Sequence, residues 1–347
     1  MNNRQLIFAR EYRGYSQTEL ASKIAGLSQS NLSKFEKGLG GLSEEVLTRI
    51  MDFLGFPISF LDLDLRVYNN GHYRKKASIK ASARKYIEKF VSVVAYVVDW
   101  MSEEVEFPDF NFNYIDVESG VSPEEIARLT RTHKKLGNLP IRDIFGLLES
   151  NGVVIYQWDC DIKEFDGVSV LTDKGRHIVV MNRNMSNDRK RVTLAHELGH
   201  IIMHQCPDFI VVDARDKEQE AHRFASEFLM PELAIRPYLV NLTIKKLMEN
   251  KRYWLTSMAS QLKRAKTIGI IEENKHNNLL IELSRRGWRI QEPNSVIIDR
   301  PVAFETAESL FRTELHYDLR DIAGTIMLPM DIIKSIFSIK RPIFLSQ

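Results

Sequence analysis

Hydrophobic positions in the first 64 residues recur every three to four positions, the spacing that places side chains on one face of an α-helix. These helical patterns are separated by cap residues and not by long loops. Ser16 with Glu19 three positions later forms a capping box, and Ser28 and Gly38 mark the start and the end of a further short helix. The segment therefore predicts a compact helical bundle.

The pattern changes along the rest of the chain. Residues 83–101 predict a long buried helix, and another helix is capped by Ser122. Within residues 152–182, three runs rich in β-branched side chains, GVVIYQW, DGVSVLT and HIVVMN, predict a small, partly antiparallel sheet. Two apolar helices follow, VTLAHELGHIIMH and QEAHRFASEFLM, and residues 245–347 are mostly helical with short strands expected within 288–298. The predicted fold class is mainly α with a small β-sheet, that is, α+β.

Length and composition limit the class of protein. With 347 residues and 44% hydrophobic side chains, the chain is long enough for two or three cores, so we expect a multidomain protein. Two cysteines, Cys160 and Cys206, are too few for a disulfide framework, and the first residues lack the apolar core of a signal peptide. We therefore expect a cytoplasmic protein. No apolar run reaches the roughly 18 to 20 residues that span a bilayer, so we expect no membrane function.

Charge is distributed unevenly along the chain. The formal net charge is +2, and residues 1–64 hold seven basic and eight acidic residues, a weak electrostatic signal for nucleic-acid binding. Residues 66–89 differ, because they contain eight basic residues and one acidic residue, Glu88. The basic residues of this stretch are Arg66, Arg74, Lys75, Lys76, Lys80, Arg84, Lys85 and Lys89. The simplest interpretation is a solvated linker.

The sequence HELGH, residues 196–200, carries the strongest chemical signal. In an α-helix, His196 and His200 lie on one face about 6 Å apart along the axis, so both imidazoles reach one cation, here Zn²⁺. Glu197 lies beside the first ligand and is placed to act as the catalytic base. Gly199 costs a helix interior about 1 kcal/mol relative to alanine, which indicates that another backbone approaches closely or that open space is needed.

A catalytic zinc needs a third protein ligand, and the segment KEQEAHRFASEFLMP offers two glutamates. We favour Glu218, with Glu220 as the alternative. His222, one turn beyond Glu218, is expected to orient a zinc-ligating histidine as a partner behind it. His204 lies four positions after the second histidine of HELGH, so it repeats the i, i+4 spacing. It is expected to support the ligands or to line the site, and the alternative is that it binds the metal itself. Cys206 is a soft potential ligand, although a small buried residue is the simpler interpretation.

The N-terminal bundle contains a candidate DNA-reading element. Residues 17–25 and 29–37 fit the two helices of a helix-turn-helix, in which the second helix presents its N-terminal side chains to base edges. Gln17 is placed to hold a phosphate. Amide, hydroxyl and amino groups suited to adenine edges and phosphates come from Gln29, Ser30, Asn31, Ser33 and Lys34. A small helical protein-binding module is the alternative interpretation.

Two family resemblances rest on these motifs. Residues 1–64, with RGYSQTELASKIAGLSQSNLSKFEKG, closely resemble the XRE (Cro/repressor-like) helix-turn-helix family. Residues 122–233, with RVTLAHELGHIIMH and EAHRFASEFLMP, resemble the ImmA/IrrE metallopeptidases, and TSMASQLKRAKTIGIIEENKHNNLLIELSRRGWRIQEP resembles the region that follows the peptidase in longer members.

The peptidase resemblance implies a zincin-like core and assigns roles that coincide with those argued from the residues. It places the zinc ligands at His196, His200 and Glu218, and the catalytic glutamate at Glu197. At His222 the sequence departs from the family, since relatives more often carry asparagine there. Members of the family typically cleave a partner repressor and so switch on stress, phage or mobile-element genes.

Four segments are therefore expected. Residues 1–64 form the XRE-type DNA-binding domain, 65–100 a basic linker and long helix, 101–240 the ImmA/IrrE-like zinc metallopeptidase domain, and 241–347 a mostly helical C-terminal region.

The first functional hypothesis is a DNA-binding regulatory zinc metallo-endopeptidase that cleaves a transcriptional repressor. Its expected partners are double-stranded DNA, the protein substrate and a second copy of the chain, because many helix-turn-helix proteins bind two-fold sites as homodimers. The alternative is an XRE-type transcriptional regulator or antitoxin whose peptidase-like domain senses a signal or dimerises without proteolysis. A third hypothesis is self-cleavage within residues 66–89, which would separate the two domains.

Overall fold

The computed structural model divides into two compact units. The first consists of Met1–Glu106 together with Phe304–Gln347, and the second of Phe107–Ala303. Helices dominate both units, and a single three-stranded sheet lies in the second unit within the part of the chain described. This arrangement confirms the predicted α+β class. The residues that the structure describes are 2–68, 79–208, 211 and 214–337.

The first unit is helical throughout its regular structure. Ser16 caps its second helix and exchanges both capping-box hydrogen bonds with Glu19, as the sequence predicts. Ser28 caps the third helix by accepting from the backbone N–H of Asn31. The helices of this unit are α1 (Asn3–Tyr12), α2 (Gln17–Lys23), α3 (Gln29–Glu36), α4 (Glu44–Leu54), α5 (Ala81–Met101), α14 (Ala303–Thr313), α15 (Leu319–Thr325) and α16 (Met330–Phe337), with a 3₁₀ turn at Ile58–Asp62.

Helix α5 forms much of the core of this unit, because most of its residues from Ile87 to Met101 are buried. The buried helix predicted from the sequence is therefore confirmed. At its start, Lys85 and Lys89 pair with Glu11 of α1 at 2.8 and 3.3 Å. Burial would raise the pKa of Glu11, but the two lysines outweigh it and hold that pKa below its usual value. Two cations of the basic stretch are thus engaged within the fold.

Other basic residues of that stretch, Arg74, Lys75 and Lys76, lie outside the described residues. Among the described helices, none has the combination of length and apolar character that a membrane crossing requires.

The C-terminal helices pack in the same unit as the helix-turn-helix. Arg13 at the end of α1 donates to both carboxylate oxygens of Asp331 on α16, at 2.6 and 3.1 Å. The ring of Trp100 on α5 lies 4.6 Å from that of Phe311 on α14, measured between centroids. Residues 304–337 therefore contact α1 and α5 by both an ion pair and aromatic packing.

The second unit surrounds its sheet with helices. Its helices are α6 (Pro123–His133), α7 (Ile144–Glu149), α8 (Asn187–His204), α9 (Lys217–Leu229), α10 (Glu232–Leu239), α11 (Ile244–Trp254), α12 (Met258–Thr267) and α13 (Glu273–Arg285). Its strands are β1 (Val153–Trp158), β2 (Gly167–Leu171) and β3 (His177–Asn182).

The sheet is mixed and has the order β1-β3-β2. Strands β1 and β3 are parallel, with Val153 opposite His177, whereas β2 and β3 are antiparallel, with Ser169 opposite Val179. The partly antiparallel sheet predicted from the sequence is confirmed. Strand β2 is at the edge and packs on α8, where a Cβ atom on Gly167 would lie 2.8 Å from a methyl group of Thr193. Glycine at this position lets the strand approach the helix.

The strands expected within residues 288–298 are absent from this described segment, so that prediction was wrong. The side chains of Ile290 and Ile297 are 97% and 89% exposed, and the three strands found in the described part of the chain pair only with one another. Asn294 after Pro293 adopts φ +58°, which interrupts an extended backbone. The segment instead places Glu292 at the start of α12, where its carboxylate accepts from the backbone of Met258 and Ala259.

Helices α8 and α9 form the most extensive helix pair of the second unit. Gly199 on α8 faces the buried ring of Phe224 on α9, and a Cβ atom at position 199 would lie 3.0 Å from that ring. The sequence predicted another backbone or open space at this glycine, and the structure instead places an aromatic side chain against it, because α9 packs on α8 through Phe224.

Replacing Gly199 with valine should force α8 and α9 apart, because overpacking a core costs about 1–3 kcal/mol. We expect the free energy of unfolding to fall by that amount in urea denaturation. The matched control is Gly324→Val on α15, where an added Cβ meets nothing within 4 Å. Equal losses in the two variants would contradict the proposed contact.

Candidate metal centre

Three side chains on α8 and α9 converge on one point. The Nε2 atoms of His196 and His200 lie 3.0 Å apart, as the i, i+4 spacing on α8 predicts. Glu218, in the first turn of α9, places its two carboxylate oxygens 3.4 Å from His196 Nε2 and 3.3 Å from His200 Nε2. The three ligand atoms all lie within 4.8 Å of one another.

This arrangement fits a tetrahedrally bound divalent cation. Donor atoms that bind zinc tetrahedrally at about 2.0–2.2 Å lie roughly 3.3–3.6 Å from one another, close to the separations seen here. Both histidines are buried, and two imidazoles with one carboxylate form a donor set typical of catalytic zinc sites. Burial would raise the pKa of the Glu218 carboxyl, but the two histidines outweigh it and hold that pKa well below its usual range. Glu218 is therefore ionised and ready to bind a cation.

A chain of polar side chains supports His200 from behind. Its Nδ1 atom lies 3.0 Å from His204 Nδ1, and His204 Nε2 lies 2.9 Å from a carboxylate oxygen of Glu220. Arg215 donates to the other oxygen of Glu220 at 2.8 Å. If His204 donates through Nε2, its Nδ1 accepts from His200, which leaves the Nε2 lone pair of His200 for a metal.

The structure thus separates the two glutamates between which the sequence left a choice. Glu218 lies with the histidine pair, whereas Glu220 contacts His204 and Arg215. Within the described residues, the group that is able to hold a metal consists of His196, His200 and Glu218. Cys206 is buried and is not part of that group.

His196 is positioned differently from its neighbour. Its Nδ1 atom is buried and has no hydrogen-bond partner among the described residues. The ring of His222 packs on it, with centroids 4.3 Å apart and planes inclined by 46°. His222, expected from the sequence to orient one of the two histidines of HELGH, thus contacts His196 by ring packing.

Glu197 points toward the edge of the sheet. Its Oε2 atom accepts from the backbone N–H and the hydroxyl of Ser169 on β2, at 2.8 and 2.7 Å. Gln205 in turn donates to the carbonyl oxygen and the hydroxyl of Ser169, at 3.0 and 2.8 Å. The backbone N–H and carbonyl of Ser169 thus bond to Glu197 on α8 and to Gln205, the residue after α8. Both backbone groups therefore face away from β3. The edge of β2 thus borders the candidate base.

Sequence reasoning did not identify Ser169 or Gln205. A hydroxyl residue within the apolar run GVSVL was the one available signal for Ser169.

A second polar pair, also missed by the sequence analysis, joins the half-buried Tyr114 to the buried His177 near Gln205. Burial lowers the pKa of His177 to about 4, although Gln205 acts in the opposite direction. Burial raises the pKa of Tyr114 to about 12, so this hydroxyl stays protonated at neutral pH. The Tyr114 Oη and His177 Nε2 atoms lie 2.6 Å apart, within hydrogen-bond distance. The pair extends the polar wall beside Glu197 and Ser169.

In the first unit, a buried ion pair organises the candidate DNA contacts. Arg10 donates to both carboxylate oxygens of Glu36, at 2.6 and 2.8 Å. Gln17 donates to Glu36 at 2.7 Å and accepts from Gln29 at 3.0 Å. The two glutamines expected at the DNA are thus joined to each other and anchored to α1.

The remaining candidate DNA contacts lie along α3. Ser30, Asn31 and Lys34 are exposed, and Ser33 is half-buried, while Leu32 faces the core. Helix α3 therefore presents a polar surface to solvent over its whole length.

Comparisons with known families agree with this division. A helix-turn-helix family model matches residues 6–61, and a model described as the IrrE N-terminal-like domain, from a peptidase family, matches residues 150–262. The chain carries an XRE-type helix-turn-helix domain and an IrrE-like domain. Both family resemblances inferred from the sequence are confirmed. The IrrE-like match contains the sheet, α8 and α9, so the His/His/Glu group lies inside a metallopeptidase-like domain. No curated protein matches the chain.

We expect the purified protein to bind about one zinc per chain, measured by elemental mass spectrometry, and His196→Ala to lose it because a ligand is removed. Glu220→Gln should weaken zinc binding about 10- to 100-fold, since it removes the carboxylate that orients His204. Competition with a chelator of known affinity measures this loss.

The matched control is Glu282→Gln, which removes an exposed pair with Arg286 on α13. Its zinc affinity should equal that of the parent. A Glu220→Gln variant with parental affinity would show that the histidine chain does not support the metal.

Proposed function

We propose that the IrrE-like domain is a zinc metallo-endopeptidase that cleaves a transcriptional repressor, and that the helix-turn-helix brings it to DNA. The observation that carries the proposal is the convergence of His196, His200 and Glu218 with Glu197 next to the first of them. Two neutral imidazoles and one carboxylate leave a net positive charge on a bound zinc. This charge is suited to an oxygen nucleophile and a peptide carbonyl.

A bound zinc supplies Lewis acidity, which makes water a stronger acid and polarises a carbonyl oxygen. Glu197 takes the proton of the attacking water while the water oxygen bonds to the peptide carbonyl carbon. The C–N bond then breaks, and Glu197 returns the proton to the departing amine nitrogen. The two donors from Ser169 stabilise the carboxylate of Glu197 and fix its direction.

The proposed base is held at the edge of the sheet. At Ser169 the outward backbone N–H of β2 donates to Glu197 and the outward carbonyl accepts from Gln205. These bonds keep Glu197 in one direction.

Glu197→Gln tests proteolysis directly, because glutamine keeps the size of the side chain but does not act as a base. New protein termini should appear in cells that express the parent and be absent with Glu197→Gln, in a proteome-wide comparison of termini. Both proteins should bind equal amounts of zinc. Identical sets of termini in the two cultures would rule against the peptidase.

Regulation without proteolysis is the second candidate function, and the exposed polar surface of α3 in a helix-turn-helix domain favours it. Under this hypothesis Glu197→Gln keeps the regulatory output, whereas Asn31→Ala with Lys34→Ala loses it. Binding to duplex DNA, measured by fluorescence anisotropy over a range of salt concentrations, should weaken in the double variant.

Loss of Lys34 should reduce the salt dependence of that binding by about one phosphate contact. The matched control is Lys23→Ala, at the end of α2 and outside the candidate contacts. Parental DNA affinity in the double variant would contradict a reading role for α3.

A further inference from the structure

A cavity of about 680 Å³ lies among the C-terminal helices of the first unit. Side chains of α14, α15 and α16, and of the connection between α14 and α15, line it together. Its volume is in the range of pockets that hold small ligands. Neither the His/His/Glu group nor the candidate DNA contacts include any of its lining residues, so it is a separate candidate site.

Positive charge dominates the wall of this cavity. Arg312 comes from α14, Arg320 from α15 and Lys334 from α16, and all three side chains are exposed. Among the described residues, one acidic residue lines the cavity, Asp318. Its carboxylate accepts from the backbone N–H groups of Arg320 and Asp321, at 2.6 and 2.9 Å. Three helices thus each contribute a cation to one solvent-accessible cavity.

Two of these cations have no direct partner in the fold. Within the described part of the chain, the side chains of Arg320 and Lys334 form neither an ion pair nor a hydrogen bond. Arg312 has a partner on its own helix, since its Nη1 atom lies 3.4 Å from a carboxylate oxygen of Glu308. Because like charges around one cavity repel each other, a bound anion would lower the electrostatic free energy of this site.

The connection between α14 and α15 adds two ring side chains to the wall. His316 has a left-handed backbone, with φ +56°, which is uncommon for a residue other than glycine. Tyr317 is half-buried, and its ring centroid lies 5.8 Å from that of Trp100 and 5.7 Å from that of Phe311. A ring held by two other rings is ordered in advance for packing against an aromatic ligand group.

We propose that this cavity binds a small phosphorylated ligand with an aromatic group, that is, a mononucleotide. Guanidinium groups pair with phosphate oxygens through two parallel hydrogen bonds, and a lysine adds a point charge. The cations of the three helices hold the phosphate, and Tyr317 packs against the base. This binding goes beyond the proposed peptidase function and does not depend on it.

Calorimetric titration of the full chain in a phosphate-free buffer tests the site. The probes are adenosine monophosphate, adenosine, ribose phosphate and inorganic phosphate. Adenosine monophosphate should bind at least about tenfold more tightly than adenosine, which lacks the group that forms charge-assisted hydrogen bonds. It should also bind more tightly than ribose phosphate or inorganic phosphate, because both lack the ring that packs on Tyr317.

Arg320→Gln combined with Lys334→Gln provides the structural test, because both side chains are exposed and their loss leaves no buried group without a partner. The affinity for adenosine monophosphate should fall at least about tenfold in this double variant. The matched control is Lys275→Gln combined with Arg285→Gln, which removes two exposed cations of α13, outside the cavity. This control should keep the parental affinity.

Equal binding of adenosine and adenosine monophosphate, no binding of either, or parental affinity in the Arg320 and Lys334 double variant would each overturn the proposal. Duplex DNA is the other source of phosphate, and fluorescence anisotropy tests it. The double variant should bind the duplex as the parent does. If the parent binds no adenosine monophosphate and the double variant loses affinity for the duplex, these cations contact the DNA backbone, and the small-ligand site is refuted.

Discussion

The site depends on the contact between α8 and α9 at Gly199 and Phe224. Each of these helices carries part of the candidate metal-binding group, so the distance between the helices sets the distance between the histidine pair and Glu218. A glycine facing a buried aromatic ring brings the two backbones close without a cavity, and a packed interior resists small displacements. The geometry of a polar site is thus fixed by an apolar contact.

Around this contact, several polar side chains of the second unit are joined by hydrogen bonds. The carboxylate of Glu220 lies between Arg215 and His204, and His204 in turn meets His200. On the other side Ser169 joins Glu197 to the edge of β2. Because buried polar groups without partners are costly, such chains hold side chains in a single orientation.

The first unit also contains buried polar side chains that link its helices. The buried pair between Arg10 and Glu36 links α1 to α3, and Gln17 attaches to it. Breaking such a pair leaves an uncompensated buried charge, so the helices that it joins keep a fixed relation. The helix proposed to read DNA is therefore held by the core of its own domain, while α5 and the C-terminal helices complete that unit.

Local patterns were sufficient for much of this protein. Helix caps, the buried helix α5, the three short strands and the two histidines one turn apart follow from spacings of a few residues, which backbone geometry converts directly into structure. The pattern was misleading at residues 288–298, because a strand needs a partner that the local sequence does not specify. The local sequence also did not decide between Glu218 and Glu220 as the third candidate ligand, since both lie in the first turn of α9.

Only the packing of α9 on α8 gives the two glutamates different neighbours. The packing of α8 on β2 brings Ser169 to Glu197 across 28 positions. The sequence by itself determined which chemical groups are present and which of them share a helix face. The tertiary structure decided which groups meet, because contacts between distant segments depend on how the helices and the sheet pack.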